Sequence, residues 1–271
     1  MSLDAAGGGF SPPVPFKPDA AQVERVAYEG ILLNAAATGL AALCYLFVGV
    51  RVARAKTRAG HSRSAAAFFL VVGTFLLLAA SRQVAAYLSL STGLSTDVDR
   101  ALFLVLLVPA ALAIVPLAHL AATLFWGRPA LAAWVALVFA VVATVGVAFA
   151  YLEGVTGPVV SPWGTEWLIA SIVTKVLLIV ALTIPGVVAG VALFVIGRRT
   201  GQAAGRRARL VGASCAVYYV VFTIDALGLD GLGLLAARLA TAGTAIAAYI
   251  AYFPRADARS GALAAGDPER A

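Results

Sequence analysis

Arg82, Lys175 and Arg238 each lie about eight residues inside a long apolar run, roughly 12 Å from its end at ~1.5 Å per residue. Asp225 lies about one turn inside another apolar run, and Arg100 sits at the start of a further one. An ionised side chain at membrane depth costs several kcal/mol unless it is paired or reaches the interface. A long side chain stretched toward the interface covers about 6 Å, half of what these three cations need. The set reads as an electropositive polar cavity near one end of a helical bundle. Asp225 would pair with Arg100 or Arg238, and the remaining cations would take an anion: a carboxylate, a phosphate, a halide or a lipid headgroup. Asn34, Gln83, Thr174, Tyr218 and Tyr219 fall at the same level as candidate wall residues, and Phe103 lies one turn inside Arg100. The plainer alternative is structural pairing and snorkelling, with no ligand.

Other chemistry has less to stand on. Cys44 and Cys215 lie inside apolar runs and read as reduced fillers. His61 and His119 are too far apart in the chain to read as paired haem ligands, and no acid–histidine cluster suggests a metal. Neither a Ser-His-Asp set, a phosphate-cradling glycine loop nor a Cys-x-x-Cys pair stands out, so the residues point away from an enzyme.

The elements that must position these charges follow from composition. The chain has 271 residues, 62% hydrophobic and 12% charged, with a mean hydropathy of +0.94. Soluble domains are about half apolar and about a quarter charged, so an ordinary soluble enzyme is excluded. Seven apolar runs are long enough to span a bilayer: 28–52, 64–90, 99–125, 130–151, 167–196, 208–228 and 231–253. The expected fold is all-α, a seven-transmembrane-helix bundle over 28–253. Residues 1–27, with Pro12, Pro13, Pro15 and Pro18, read as a flexible arm without the pattern of a signal peptide. Residues 254–271 read as a polar tail. The fifth run is long, and reads as tilted or extended past the membrane. Residues 152–166 form either a small capping hairpin or a plain connector. Pro109, Pro116 and Pro185 allow kinks, and Gly186 with Gly190 allows close helix approach.

The net charge is +7. Arg51, Arg54, Lys56, Arg58, Arg63, Arg128, Arg198, Arg199, Arg206, Arg207, Arg209, Arg255, Arg259 and Arg270 all fall on one side of the spans. They are 14 of the 20 basic residues. By the positive-inside rule that side is cytoplasmic, which puts the N-terminus outside and the C-terminus inside a multi-pass protein of the cell membrane. Asp97, Asp99, Glu153 and Glu166 fall on the other side. The basic excess therefore reads as topology and attraction to anionic lipid. The loops are short and lack an aromatic platform, which argues against nucleic acid.

Three stretches resemble the microbial rhodopsins. Ala86-Tyr87-Leu88-Ser89-Leu90-Ser91-Thr92-Gly93-Leu94 is similar to the family's entry into its external loop. Arg100 and Pro109 have the family's arginine-to-proline spacing. Val217-Tyr218-Tyr219-Val220-Val221-Phe222 resembles its aromatic pocket segment, and the Gly228–Gly233 turn is also similar. The resemblance implies a seven-helix bundle with an external N-terminus. The departures decide the chemistry. The family links retinal to a lysine in its seventh helix; residues 232–253 contain none, and the position falls near Ile246. Phe103, Leu104 and Ile114 stand where the family has a counter-ion, a tryptophan and an internal proton donor. Lys175 lies in the fifth span, the wrong one for the linkage. Schiff-base chemistry and proton pumping are therefore not expected, while non-covalent retinal or carotenoid stays open. The second and third spans, ending Thr123-Leu124-Phe125-Trp126-Gly127-Arg128, also resemble the seven-helix sensor modules that precede bacterial histidine kinases.

The expected function is a receptor or sensor. A small anionic or amphiphilic ligand would enter the outer pocket, and a cytoplasmic or membrane transducer would read the change. The first alternative is a small-anion transporter or channel, and the second is a pigment-binding membrane protein. A receptor needs a sealed inner half, whereas a transporter needs a polar path past His119, Thr123 and Ser214. Oligomeric state is open.

Overall fold

The computed structural model describes residues 28–54, 60–93, 95–200, 202–226 and 231–252. The arm over 1–27, the tail over 254–271 and residues 228–230 of the last turn lie outside the described residues. Among those described there are seven helices and one hairpin: α1 Glu29–Arg54, α2 Gly60–Thr92, α3 Asp97–Trp126, α4 Pro129–Glu153, β1 Val155–Ser161, β2 Gly164–Ile169, α5 Ile172–Arg199, α6 Gln202–Ala226 and α7 Gly231–Tyr252. All seven helices are long and apolar enough to cross a membrane.

Each helix is apolar nearly all round, as expected where the outer solvent is as apolar as the core. Hydropathy therefore does not separate the buried from the outward face. Large side chains such as Phe47, Trp134, Val138 and Leu152 point outward. The buried face of α4 consists of Ala132, Ala136, Ala143, Gly146 and Ala150, a small-residue stripe that lets helices pack by van der Waals contact. In the main packing pattern α1, α2, α3, α5, α6 and α7 close a ring, with α1 also against α7; α4 leans on α3 and α5 from outside.

Two glycine seams hold this ring tightly. A Cβ on Gly49 would stand 2.8 Å from Leu70, and one on Gly73 would stand 2.7 Å from Leu46, so α1 and α2 interlock reciprocally. Along α5, Gly186 lies under the Tyr219 ring, Gly190 against the Ala216 backbone and Gly197 against the Arg209 backbone. Pro109, Pro116 and Pro185 sit inside helices that continue through them.

The segment after α4 is a hairpin, with Val155 opposite Ile169 and Ser161 opposite Gly164. It reaches further than 152–166 and takes the first residues of the predicted fifth span. That span therefore starts later than expected, at Ile172, and runs as a 28-residue helix to Arg199. The Ser171 hydroxyl accepts from the Thr174 amide and starts α5 at Ile172. The hairpin marks one end of the bundle. The other end carries Arg51 and Arg54 at the close of α1, and Arg198 and Arg199 at the close of α5.

Gly186→Ala is expected to destabilise the protein by about 1–3 kcal/mol, because its methyl would stand 2.2 Å from the Tyr219 ring. Gly243 has nothing within 4 Å, so Gly243→Ala should raise stability by about 0.5–1 kcal/mol. Thermal unfolding in detergent reads both.

Candidate functional site

The site is built from the first turn of α3 upward. Asp99 has no exposed surface. Its Oδ2 accepts from the Thr165 hydroxyl and the Trp167 indole N–H, each at 2.8 Å. Arg82 Nε lies 3.8 Å from Asp99 Oδ1, and Arg82 Nη2 donates to the Thr165 carbonyl at 2.7 Å. The same guanidinium lies 5.6 Å from the centre of the Phe103 ring. α2 and α3 thus grip β2 through a buried ion pair. Asn34 of α1 adds a hydrogen bond to the Trp163 carbonyl at 2.8 Å.

Beneath the hairpin is a cavity of about 200 Å³. Arg82, Glu166, Lys175, Asp225 and Arg238 are its charged wall residues. Apolar side chains, among them Phe75, Phe103, Ile114, Leu182 and Phe222, form the rest. Arg238 Nη1 meets Asp225 Oδ2 at 2.7 Å, which pairs Asp225 across α6 and α7. Lys175 and Glu166 form no ion pair within the described residues. Three wall residues carry a buried polar atom without a hydrogen bond: Arg82 Nη1, Gln83 Oε1 and Asp225 Oδ1. Burial raises the Glu166 carboxyl above the usual carboxylate range, and Asp225 adds to this. Arg238, Arg82 and Lys175 oppose it.

Five of the eight sequence-predicted residues therefore converge: Arg82, Lys175, Asp225, Arg238 and Phe103. Arg100 does not. It is exposed, because one residue is ~100° of helix and Asp99 takes the inward face. Pro109, nine residues on, is buried, as two and a half turns require. Asp225 accordingly pairs with Arg238 and not Arg100. Tyr218 and Tyr219 lie below the cavity and not in its wall. Thr174 turns away to Glu153, donating at 2.8 Å.

The expected electropositive character is corrected as well. Glu166 and Asp225 share the wall with the three cations, and Asp99 stands behind Arg82, so charge is nearly balanced. Glu166 and Asp99 had read only as acids of the outer side. The one sequence signal for Asp99 is its place one residue before Arg100 at the start of an apolar run.

Tyr218 and Tyr219 belong to an aromatic layer. Tyr45 meets Phe69 and Tyr218 at 5.9 Å, Tyr218 meets Tyr219 at 5.0 Å, and Phe222 lies 6.3 Å from Tyr218. On its far side is a second cavity of about 470 Å³, bordered by Tyr45 and Tyr218 and by Arg51 and Arg207 at the basic end. That half of the bundle is apolar but not completely filled. The two cavities share no wall residue.

No protein family, curated protein or solved structure matches the chain.

Asp99→Ala should cost about 3–5 kcal/mol, because Arg82 would stay buried without its carboxylate. Arg100→Ala should change stability by less than about 0.5 kcal/mol, as for an exposed side chain. Urea titration in detergent measures both.

Proposed function

We propose that the protein is a multi-pass membrane receptor that takes a small amphiphile with an anionic head in the cavity under the hairpin. The observation that carries this reading is the division of the cavity wall. Charged groups line the part beneath β2, while Phe75, Ile114 and Leu182 line the part toward the aromatic layer. A bare inorganic anion would leave that apolar part unused. An amphiphile fills it with its tail and sets its head on Lys175 and the unbonded Nη1 of Arg82. The protein does no bond-making chemistry in this reading, and the response passes through the aromatic layer to a separate transducer.

The hairpin end faces outward and the basic end the cytoplasm, on the strength of the arginine-rich ends and loops. The seven-helix order and the aromatic segment of α6 support a distant likeness to the microbial rhodopsins. Without a lysine in α7, retinal or a carotenoid would bind by contact alone. A second reading, transport, is favoured by one observation: the second cavity on the far side of the aromatic layer. Two cavities facing opposite ends across one partition suit alternating access.

Glu166 gives the binding a pH dependence. Its raised carboxyl loses charge as pH falls, which leaves Lys175 less compensated among Arg82, Asp225 and Arg238. An anion should therefore bind more tightly at lower pH, and binding should take up a proton. Octanesulfonate stays ionised throughout and is a suitable probe for calorimetric titration in nanodiscs. Lys175→Gln should weaken it by about tenfold or more, the loss of a charge-assisted hydrogen bond. Glu166→Gln should keep tight binding at all pH and remove the dependence. Binding indifferent to Lys175→Gln would sink the site. Export of octanesulfonate from loaded liposomes would favour the transport reading. A cysteine in place of Val159 should react with an impermeant maleimide on intact cells, and one in place of Arg128 only after lysis; the reverse pattern would invert the orientation.

A further inference from the structure

The cavity under the hairpin holds acceptors as well as donors, and an anion serves only the donors. Arg82 Nη1 is a buried donor without a hydrogen bond, whereas Gln83 Oε1 and Asp225 Oδ1 are buried acceptors without one. All three residues belong to the same wall. Asp225 offers its open oxygen from a fixed position, because Oδ2 is taken by Arg238 Nη1 at 2.7 Å. An ionised carboxylate only accepts. Lys175 and Glu166 add one charge of each sign to the wall. Glu166 feels Asp225, Arg238, Arg82 and Lys175 together, so these charges form one cluster.

Resting on the reading of this cavity as a ligand site, we infer that the ligand head is zwitterionic. The cavity takes a free α-amino acid with a large apolar side chain, its carboxylate on Lys175 and Arg82 Nη1 and its ammonium on Glu166 and Asp225 Oδ1. A bare anionic head would set its oxygens among those of Glu166, Asp225 and Gln83. A buried acceptor left without a donor keeps its full desolvation cost. An ammonium group carries donors for these acceptors. An amine without a carboxylate fails in the opposite way, since it faces Lys175 and leaves Arg82 Nη1 unmet. Size narrows the ligand further. At about 200 Å³ the cavity lies below the ~300–1,000 Å³ of drug-sized sites, too small for a whole lipid and suited to a single amino acid. Phe75, Phe103, Ile114, Leu182 and Phe222 give its side chain an apolar bed.

The test compares octanoate, octylammonium and 2-aminooctanoate, which have equal carbon counts and differ in their charged groups. Each is titrated calorimetrically at neutral pH into the full-length protein in nanodiscs, against empty nanodiscs. The wild type should bind 2-aminooctanoate about tenfold or more tighter than either single-charge ligand, the gain of one charge-assisted hydrogen bond. Glu166→Gln should remove most of the gain over octanoate without weakening octanoate itself. Lys175→Gln should remove most of the gain over octylammonium. Equal binding of 2-aminooctanoate and octanoate by the wild type would overturn the zwitterionic head and leave the receptor reading standing. Octylammonium as tight as 2-aminooctanoate would overturn it too, since the carboxylate would then find no partner. So would an undiminished gain in Glu166→Gln, because the ammonium would then sit elsewhere. If none of these ligands bound, and octanesulfonate did not either, the site itself would fall, with water alone meeting the buried groups. The ranking in the wild type needs no variant, so the inference stays testable if a substitution prevents folding.

Discussion

Asp99 is the residue on which the hairpin end is assembled. A carboxylate with no exposed surface, in the first turn of a membrane helix, cannot rely on water. It needs donors, and a bilayer offers none. The structure brings three to it: the Arg82 guanidinium from α2, and the hydroxyl of Thr165 and the indole of Trp167 from β2. Satisfying one acid therefore fixes α2 against α3 and pins the hairpin across the bundle. Replacing such a pair with apolar side chains is often harmless to stability, whereas leaving half of it is costly. The value of the pair here lies in position: it decides where β2 sits, and so where Glu166 stands.

The same constraint explains why the first cavity gathers acids beside its cations. Under the hairpin, Arg82 and Arg238 are deep enough that each needs a carboxylate, and Asp99 and Asp225 supply them. Lys175 and Glu166 are the pair that is not closed, and the shift in Glu166 reflects burial winning over three cations. At the basic end, arginines on helix termini reach water and headgroups directly. No acid is required there. The two cavities are therefore different in kind, although both join cations to apolar walls.

Much of the bundle was legible in the sequence because hydrocarbon thickness fixes helix length and composition fixes burial. The seven runs match α1 to α7 to within a few residues at most ends. α6 starts earlier than its run, at Gln202, and the most telling miss is the start of α5, where Trp167 to Ile169 read as membrane and belong to β2. A strand with Trp, Leu and Ile has the hydropathy of a helix, and only the distant Asp99 distinguishes them. Residues of the cavity wall were legible where depth alone identified them, as for Arg82, Lys175, Asp225 and Arg238. Rotation about the helix axis was not. Asp99 and Arg100 are adjacent, yet one is enclosed and the other exposed, and a helix apolar on every face offers no pattern to orient them. Pairing partners were hidden for the same reason, and with them the charge balance.

The partition between the cavities sets what either can do to the other. Tyr219 is locked, with its ring over Gly186 and no room for a methyl between them, while Tyr218 and Phe222 stack on the same helix, one bordering each cavity. Below this point α5 and α6 approach backbone to backbone at Gly190 and Gly197, which resists separation. Above it, Asp225 on the last turn of α6 is tied to α7 by Arg238. The upper turns of α6 are thus held by a charge pair that a ligand can compete with, and the lower turns by close packing that it cannot. An anion drawing Arg238 or Lys175 toward itself would act on the upper segment first. Phe222 and Tyr218 would carry that displacement into the second cavity without any polar path between the two.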